Sequence, residues 1–245
     1  MPVTLTPEDL GTILSVWAHP DDETYLAAAV MAAARAHAQR VVCVIASAGE
    51  RGTQDPEAWS PERLGRVRRW EAQAAMAILS VTEHHILDLP DGALAQHAST
   101  GRARIGEILD EVKPETILTF SHEGMTFHPD HIAVHEWVTA AWRQRGFPCR
   151  LLYAVTSVPA YERSGAIFEE AGAFMTNQRP SAVPVDQLAL LVHPTGMALD
   201  QKIAALAAMS TQTAPLLSAL GWDGYAVHAA EEAYVEANRA RSGEA

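Results

Sequence analysis

Near the N-terminus the apolar run Thr12-Ile13-Leu14-Ser15-Val16-Trp17 gives way to Ala18-His19-Pro20-Asp21-Asp22-Glu23, one imidazole and three carboxylates within five residues. A run of this kind reads as a buried strand, and carboxylates crowded at its end repel one another and are costly to take out of water. Full solvation relieves them, and so does a cation. A second group of the same character follows the run Glu115-Thr116-Ile117-Leu118-Thr119-Phe120, where Phe127-His128-Pro129-Asp130-His131 again opens a helix. His19 at the end of one strand and Asp22 in the first turn of the next helix can approach a common point, and nitrogen with oxygen ligands suits zinc or another first-row divalent ion. A catalytic zinc takes three protein ligands and keeps one position for water, so a third ligand is needed, and the HPDH stretch is its source. One HPD triplet alone is an ordinary helix-capping arrangement. Two on the same sheet edge, more than a hundred residues apart in sequence, are hard to explain by packing. Spacing does not say which of the aspartates binds the ion.

The remaining histidines carry less. His131 and His135 stand four apart on a helix, but Ile132-Ala133-Val134 between them lacks the glutamate of a zincin, so His135 reads as a supporting or packing residue. His122, close to the HPDH loop, is left open as a residue lining the site. His37, His84, His85, His97, His193 and His228 read as surface, loop or strand positions. Glu23 reads as a first-turn acid favoured by the helix dipole.

The elements that must position these groups alternate along the chain. Strands are predicted over about 12–18, 41–46, 84–89, 115–120, 150–155 and 188–193. Helices are predicted over about 22–39, 61–79, 100–112, 129–145 and 197–210. Strands alternating with helices build βαβ units, so the expected fold is α/β, three-layered and Rossmann-like, with a mostly parallel sheet. It is read as one domain over 1–245, with a core at about 11–155 and a variable C-terminal cap region over 156–245 whose elements complete the fold and the substrate pocket. In open parallel sheets ligands lie beyond the carboxyl ends of the strands. The clusters AHPDDE, SAGERG, LPDG and SHEGMTFHPDH all fall on that edge.

Composition narrows the partners. The 245 residues are 48% hydrophobic and 20% charged, an ordinary globular mix. A formal net charge of -12 opposes binding to nucleic acid or to an anionic membrane. Arg63, Arg66, Arg68 and Arg69 cluster at helical spacing and read as a solvated helix face. The two cysteines, Cys43 and Cys149, form neither a metal pair nor a disulfide framework and are expected to be buried thiols. Without a signal-like leader or an apolar stretch of membrane-spanning length, a cytoplasmic location is expected.

Taken in order, five features resemble the PIG-L/LmbE family of zinc-dependent N-acetylglucosaminyl deacetylases: HPDDE after the first strand, Gly49-Glu50-Arg51-Gly52 after the second, the Arg68 to Glu71 helix, Asp91-Gly92 after the third, and HPDH after the fourth. The resemblance runs from about Ile13 to Val155, with weaker echoes at Lys202 and Gln212. It implies that His19, Asp22 and His131 are zinc ligands and that Asp21 is the general base. It further implies that His128 is an acid or oxyanion-stabilising group, in protonated form, and that Asp130 tunes that histidine. Arg68, Glu50 and Asp91 would face the sugar, which revises the surface reading for Arg68 alone among the arginines. Two departures mark where substrate contacts would differ. Gly124-Met125-Thr126-Phe127 lacks the tyrosine that members often carry two residues before the first histidine of HPDH, and Met209 stands where a histidine is frequent.

The implied activity is removal of an N-acetyl group from a GlcNAc-containing small molecule, with low-molecular-weight thiol biosynthesis as a setting. The alternative is an amidase of the same scaffold that cleaves a larger acyl or thiol-conjugate amide. A non-catalytic metal-containing binding protein is less favoured, because structural zinc sites are closed by four ligands. A nucleotide-binding module is opposed by HPDDE standing where GxGxxG would be. The partner implied is a small amino-sugar substrate, and a homo-oligomer is compatible with the sequence.

Overall fold

The β-branched runs become strands whose side chains are buried on both faces: β1 (Ile13–Trp17), β2 (Val41–Ile45) and β4 (Thr116–Phe120). This is the signature of the centre of a parallel sheet. In the computed structural model, which describes residues 5–146, 148–170, 174 and 176–237, these strands join β3 (Glu83–Ile86), β5 (Arg150–Val155), β6 (Leu190–Val192) and β7 (Glu232–Glu236). The sheet order is β3-β2-β1-β4-β5-β7-β6. Strands β1 to β5 run parallel, and β7 is antiparallel to both of its neighbours. The mostly parallel α/β sheet expected from the sequence is therefore present, with one antiparallel strand inserted near its edge.

Eight helices are seen among the described residues: α1 (Asp22–Ala36), α2 (Pro61–Ile78), α3 (Ala98–Val112), α4 (Gly124–Phe127), α5 (Pro129–Gln144), α6 (Val158–Glu170), α7 (Met197–Ala207) and α8 (Ser210–Ala229). Local signals fix their ends. Ser60 accepts the Arg63 N–H ahead of Pro61 to start α2, and Lys113 adopts the left-handed conformation just before Pro114 to stop α3. Helices α3 and α5 approach closely because Gly101 faces Trp137, where an added Cβ would lie 2.3 Å from the indole. Trp17 packs edge-on against Phe120 at 4.9 Å between β1 and β4. Cys43 and Cys149 are buried free thiols. No helix among the described residues is long and apolar enough to cross a membrane.

The C-terminal region carries strands as well as helices. It supplies β6 and β7 to the sheet, and the predicted helix over 197–210 stops at Ala207, with a second helix, α8, beginning at Ser210. Helix α6 and strand β7 lie where no element is predicted. Residues 171–173 and 175, within the segment 156–185 read as loosely patterned, lie outside the described residues.

One buried ion pair ties this region to α1. Lys202 and Glu232 are almost fully buried, and Lys202 Nζ donates to Glu232 Oε1 at 2.7 Å and to the Tyr25 carbonyl at 2.8 Å. Glu232 also accepts the N–H groups of Ala29 and Val30, at 2.7 and 2.9 Å, and the Tyr234 hydroxyl donates to the Leu26 carbonyl. Removing one member of such a pair strands the other charge in a medium that cannot solvate it. Lys202→Met is expected to lower unfolding free energy by about 3–5 kcal/mol, measured by denaturant titration, and the double variant Lys202→Met/Glu232→Gln to recover part of that loss.

Candidate active site

The sheet order places β1 and β4 side by side at the point where successive connections diverge, so a crevice opens beyond their carboxyl ends. His19 lies two residues past β1. The chain then turns through Pro20 and Asp21, whose φ of +119° is a strained value for a residue with a side chain, and enters α1 at Asp22. His131 lies in the first turn of α5, whose start is fixed by His128 as N-cap and Pro129 behind it.

His19, Asp22 and His131 converge, all buried. His131 Nε2 is 3.2 Å from His19 Nδ1 and 3.3 Å from Asp22 Oδ1, and His19 Nδ1 is 3.5 Å from Asp22 Oδ2. The partners of the other ring nitrogens assign the tautomers. His131 Nδ1 faces the Gly124 carbonyl at 2.8 Å, and His19 Nε2 faces Asp91 Oδ1 at 3.1 Å and Asp130 Oδ2 at 3.3 Å. Carbonyl and carboxylate oxygens only accept, so those nitrogens carry hydrogens. Two imidazole lone pairs and a carboxylate are left facing one point.

Three acceptors at one point need positive charge between them. The titration of the groups reports the same demand. Burial opposes a charge on His19, yet Asp130, Asp22 and Asp91 outweigh it and hold its pKa well above the usual histidine value. Burial likewise opposes ionisation of Asp22, but His131 and His19 hold its carboxyl well below the usual range. Burial, with His19 and His128 nearby, lowers His131 to about 4, so it stays a neutral ligand. The donor set of two neutral nitrogens and one carboxylate, each histidine held by an acceptor behind it, fits a divalent metal ion.

Around this triad the structure redistributes several expected roles. The Asp130 carboxylate lies on His19 and accepts the Gly92 and Leu94 N–H groups at 2.7 and 3.0 Å. Its backbone N–H donates to His128 Nδ1 at 3.1 Å. The Asp130 carboxylate thus orients His19 and also acts on His128 through its charge, which works to raise that histidine's pKa. An accepting Nδ1 also makes His128 a neutral imidazole with its hydrogen on Nε2, and burial followed by the charge on His19 lowers its pKa accordingly. Asp91 lines the cleft, but its Oδ1 is spent on His19 and its Oδ2 accepts the Arg51 N–H at 2.7 Å. Glu50 braces that loop by accepting the Asp91 N–H at 2.9 Å.

Arg68 is buried, not on a solvated face. It donates to the Gly49 carbonyl at 2.7 Å and to the Pro20 carbonyl, and its Nη2 lies 3.5 Å from Asp21 Oδ2. The GExG stretch makes room for it, since a Cβ on Gly49 or Gly52 would fall 2.1 or 2.5 Å from Arg68 Nη1. Asp21 stands outside the triad. Burial raises its pKa, against the pull of Arg68, to about 7. Glu23 is fully buried and not a solvated first-turn acid. It accepts the Asp21 N–H at 3.0 Å, and burial with Asp21 nearby raises it to about 8.

Other expectations fall away from the centre. His122 lies with His135, Thr139 and Tyr153 in a separate cleft of about 480 Å³ and does not line the main one. Met209 is buried against the Thr24 hydroxyl and does not reach the cleft, whereas Gln212 lines it and donates to the Gly52 carbonyl at 3.0 Å. Glu71 caps the start of α8, accepting from Ser210 and Thr211. The cleft itself, of about 930 Å³, is also walled by Tyr25, Trp59, Thr211 and His228, which no sequence pattern singles out.

Comparison with known proteins adds the family and the fold. The PIG-L family model, described as GlcNAc-PI de-N-acetylase, matches residues 14–142, more than half of the chain. A 1D-myo-inositol 2-acetamido-2-deoxy-alpha-D-glucopyranoside deacetylase from Saccharomonospora viridis is 31% identical over 199 residues, covering 71% of this chain and 72% of the relative. The protein of the same name from Acidothermus cellulolyticus is 29% identical, with 83% and 80% covered. The N,N'-diacetylchitobiose deacetylase from Pyrococcus horikoshii shares the fold at a TM-score of 0.64 and 17% identity, covering 94% of this chain and 85% of that one.

The triad makes a direct expectation about metal. His131→Ala should retain less than about a tenth of the parent's metal per chain after dialysis, while His135→Ala keeps it, as measured by plasma mass spectrometry.

Proposed function

Because this chain belongs to the PIG-L family of GlcNAc-PI de-N-acetylases, we propose that it is a zinc-dependent hydrolase that removes the N-acetyl group from a GlcNAc-containing small molecule. The observation that carries the reading is the division of labour in HPDDE. His19 and Asp22 meet His131 at one point, while the Asp21 carboxylate beside them stays outside that set and lines the same cleft. A structural metal site has no use for a half-buried carboxylate held beside it, off the ligand set, in a strained turn. A hydrolytic one needs a base there.

His19, Asp22 and His131 would hold the zinc, which when bound supplies a Lewis acid for the amide carbonyl and lowers the pKa of water toward neutrality. Asp21 takes the proton of the attacking water and returns one to the departing amine. Arg68 is the positioning residue for that task, since it grips the Pro20 carbonyl and faces Asp21. His128, neutral and with its hydrogen on Nε2, donates to the oxygen on which charge develops. Asp91 and Asp130 keep His19 in the tautomer that leaves Nδ1 free for the ion. Water's hydroxyl joins the acyl carbon, the C–N bond breaks, and acetate and a free amino sugar leave.

The substrate class is drawn from the relatives, whose names specify a GlcNAc glycoside of inositol, with a thiol precursor built on such a sugar as the candidate. Asp21→Asn should keep its metal while kcat for acetate release from a GlcNAc glycoside falls by about 100-fold or more. Unchanged turnover would remove Asp21 from the mechanism. His128→Ala should lower kcat by about 100-fold with a much smaller change in KM, because the hydrogen bond it loses forms in the transition state.

A further inference from the structure

Apart from the main cleft, the separate cavity of about 480 Å³ is built on one side of α5. His135, Glu136, Thr139 and Arg143 recur there at the three- and four-residue spacing that gathers side chains on one side of a helix. Tyr153 of β5 and His122 of the loop after β4 line the same cavity. None of these six groups takes part in the chemistry at the triad. They are six of the nine lining residues, so the cavity is a poor place for a hydrocarbon. It is a poor place for a metal ion too, since among the described residues each set of three candidate ligands includes His19 of the triad.

The hydrogen-bond inventory of the cavity is incomplete in a specific way. His135 Nδ1 donates to the Phe120 carbonyl at 2.9 Å, which leaves Nε2 an acceptor with no partner among the described residues. Thr139 and Tyr153 share one hydrogen bond at 2.8 Å, and whichever hydroxyl donates it, the hydrogen of the other is left over. Thr139 is only 6% exposed, so this pair belongs to the packed wall and not to the open surface. Arg143 pairs with no carboxylate among the described residues, in a chain whose 30 acidic side chains outnumber its 18 basic ones. Burial lowers the pKa of His135 and raises that of Tyr153, and the charge of Arg143 pulls both downward, so its field reaches both groups. Glu136, the one carboxylate in the lining, acts on His135 in the opposite sense.

We propose that this cavity binds a phosphate group that carries a hydrogen, as inorganic phosphate or as a phosphate monoester. Its oxygens accept from Arg143, from the leftover hydroxyl hydrogen and from His122, and its own hydrogen goes to His135 Nε2 or to the Glu136 carboxylate. That last contact sets the ligand class. Sulfate and simple carboxylates have no hydrogen to give at neutral pH, so they set a lone pair against Nε2 and a charge against Glu136. The site is independent of the reaction at the triad. It is still close to it: His135 stands one helical turn beyond His131, and Phe120 touches both, through its carbonyl on His135 and through its ring, stacked on His131 at 4.2 Å.

Calorimetric titration of the metal-loaded protein at neutral pH and fixed ionic strength, with inorganic phosphate, glycerol 3-phosphate, sulfate and acetate, tests the assignment. At least one of the two phosphates is expected to bind about tenfold more tightly than sulfate or acetate, and the tighter of the two identifies the source. Phosphate also binds metal ions, so variants must locate the site. Arg143→Gln is expected to weaken phosphate by about tenfold. The double variant Thr139→Val/Tyr153→Phe, which removes the hydroxyl pair without orphaning either member, is expected to weaken it by about fivefold. His135→Ala is expected to bring the ratio of phosphate to sulfate affinity close to one. Circular dichroism and metal content matching the parent certify each variant as folded. Phosphates that bind no better than sulfate overturn the inference, and so does phosphate binding that Arg143→Gln and the double variant leave unchanged.

Discussion

Two imidazole lone pairs and a carboxylate aimed at one buried point repel each other, and the surroundings are arranged to keep them there. His19 is pinned from behind by Asp91 and Asp130, and His131 by the Gly124 carbonyl. Those anchors come from different stretches of chain. Asp91 belongs to the loop after β3, Asp130 and His131 to the start of α5, and Gly124 to the segment between β4 and α5. The demand for a positive charge at the triad is therefore distributed, and each loop at the carboxyl edge contributes one contact that has no meaning without the others. A proton can satisfy the demand in part, as the raised basicity of His19 indicates. A divalent ion satisfies all three acceptors at once.

The same economy governs Arg68. Its guanidinium lies in a notch that exists because residues 49 and 52 have no Cβ, and from there it holds the Pro20 carbonyl and faces Asp21. The Glu23 carboxylate accepts the backbone N–H of Asp21. Asp21 is thereby kept in a backbone conformation that a residue with a side chain seldom adopts. The Asp21 carboxylate is set apart from the triad by its own backbone conformation, and a buried arginine and a buried glutamate hold the turn in place.

How much of this was legible in the sequence depended on range. The strands and helices through about residue 155 could be read because period and punctuation are local properties, and HPDDE and HPDH could be placed on one edge because strand-to-helix turns must face the same way in a parallel sheet. The contacts of single side chains were less legible. Glu23 looks like a dipole-favoured acid until the Asp21 turn closes over it, and Asp130 looks like a partner for the neighbouring His128 alone until His19 arrives from the adjacent strand β1. Glu50 and Glu71 carry motif positions, yet both serve backbone and hydroxyl groups of other loops. His122 follows a buried strand by two residues and could face either side of the sheet, and sequence offers no means of choosing. Strand β7 escaped because Glu231-Glu232-Ala233-Tyr234-Val235-Glu236 has the composition of a helix, and only the slot beside β5 makes it a strand.

The contact between Glu232 and α1 has a temporal side. By residue 131 the chain holds every ligand of the triad, but the turn of α1 that borders the cleft at Tyr25 and Leu26 takes its remaining partners from Lys202, Glu232 and Tyr234, some two hundred positions later. Bringing such distant groups together costs loop entropy that is recovered only at the last step. During synthesis the three side chains of the triad are therefore made long before the wall that encloses them, so a chain interrupted near its end would carry the triad without its enclosure.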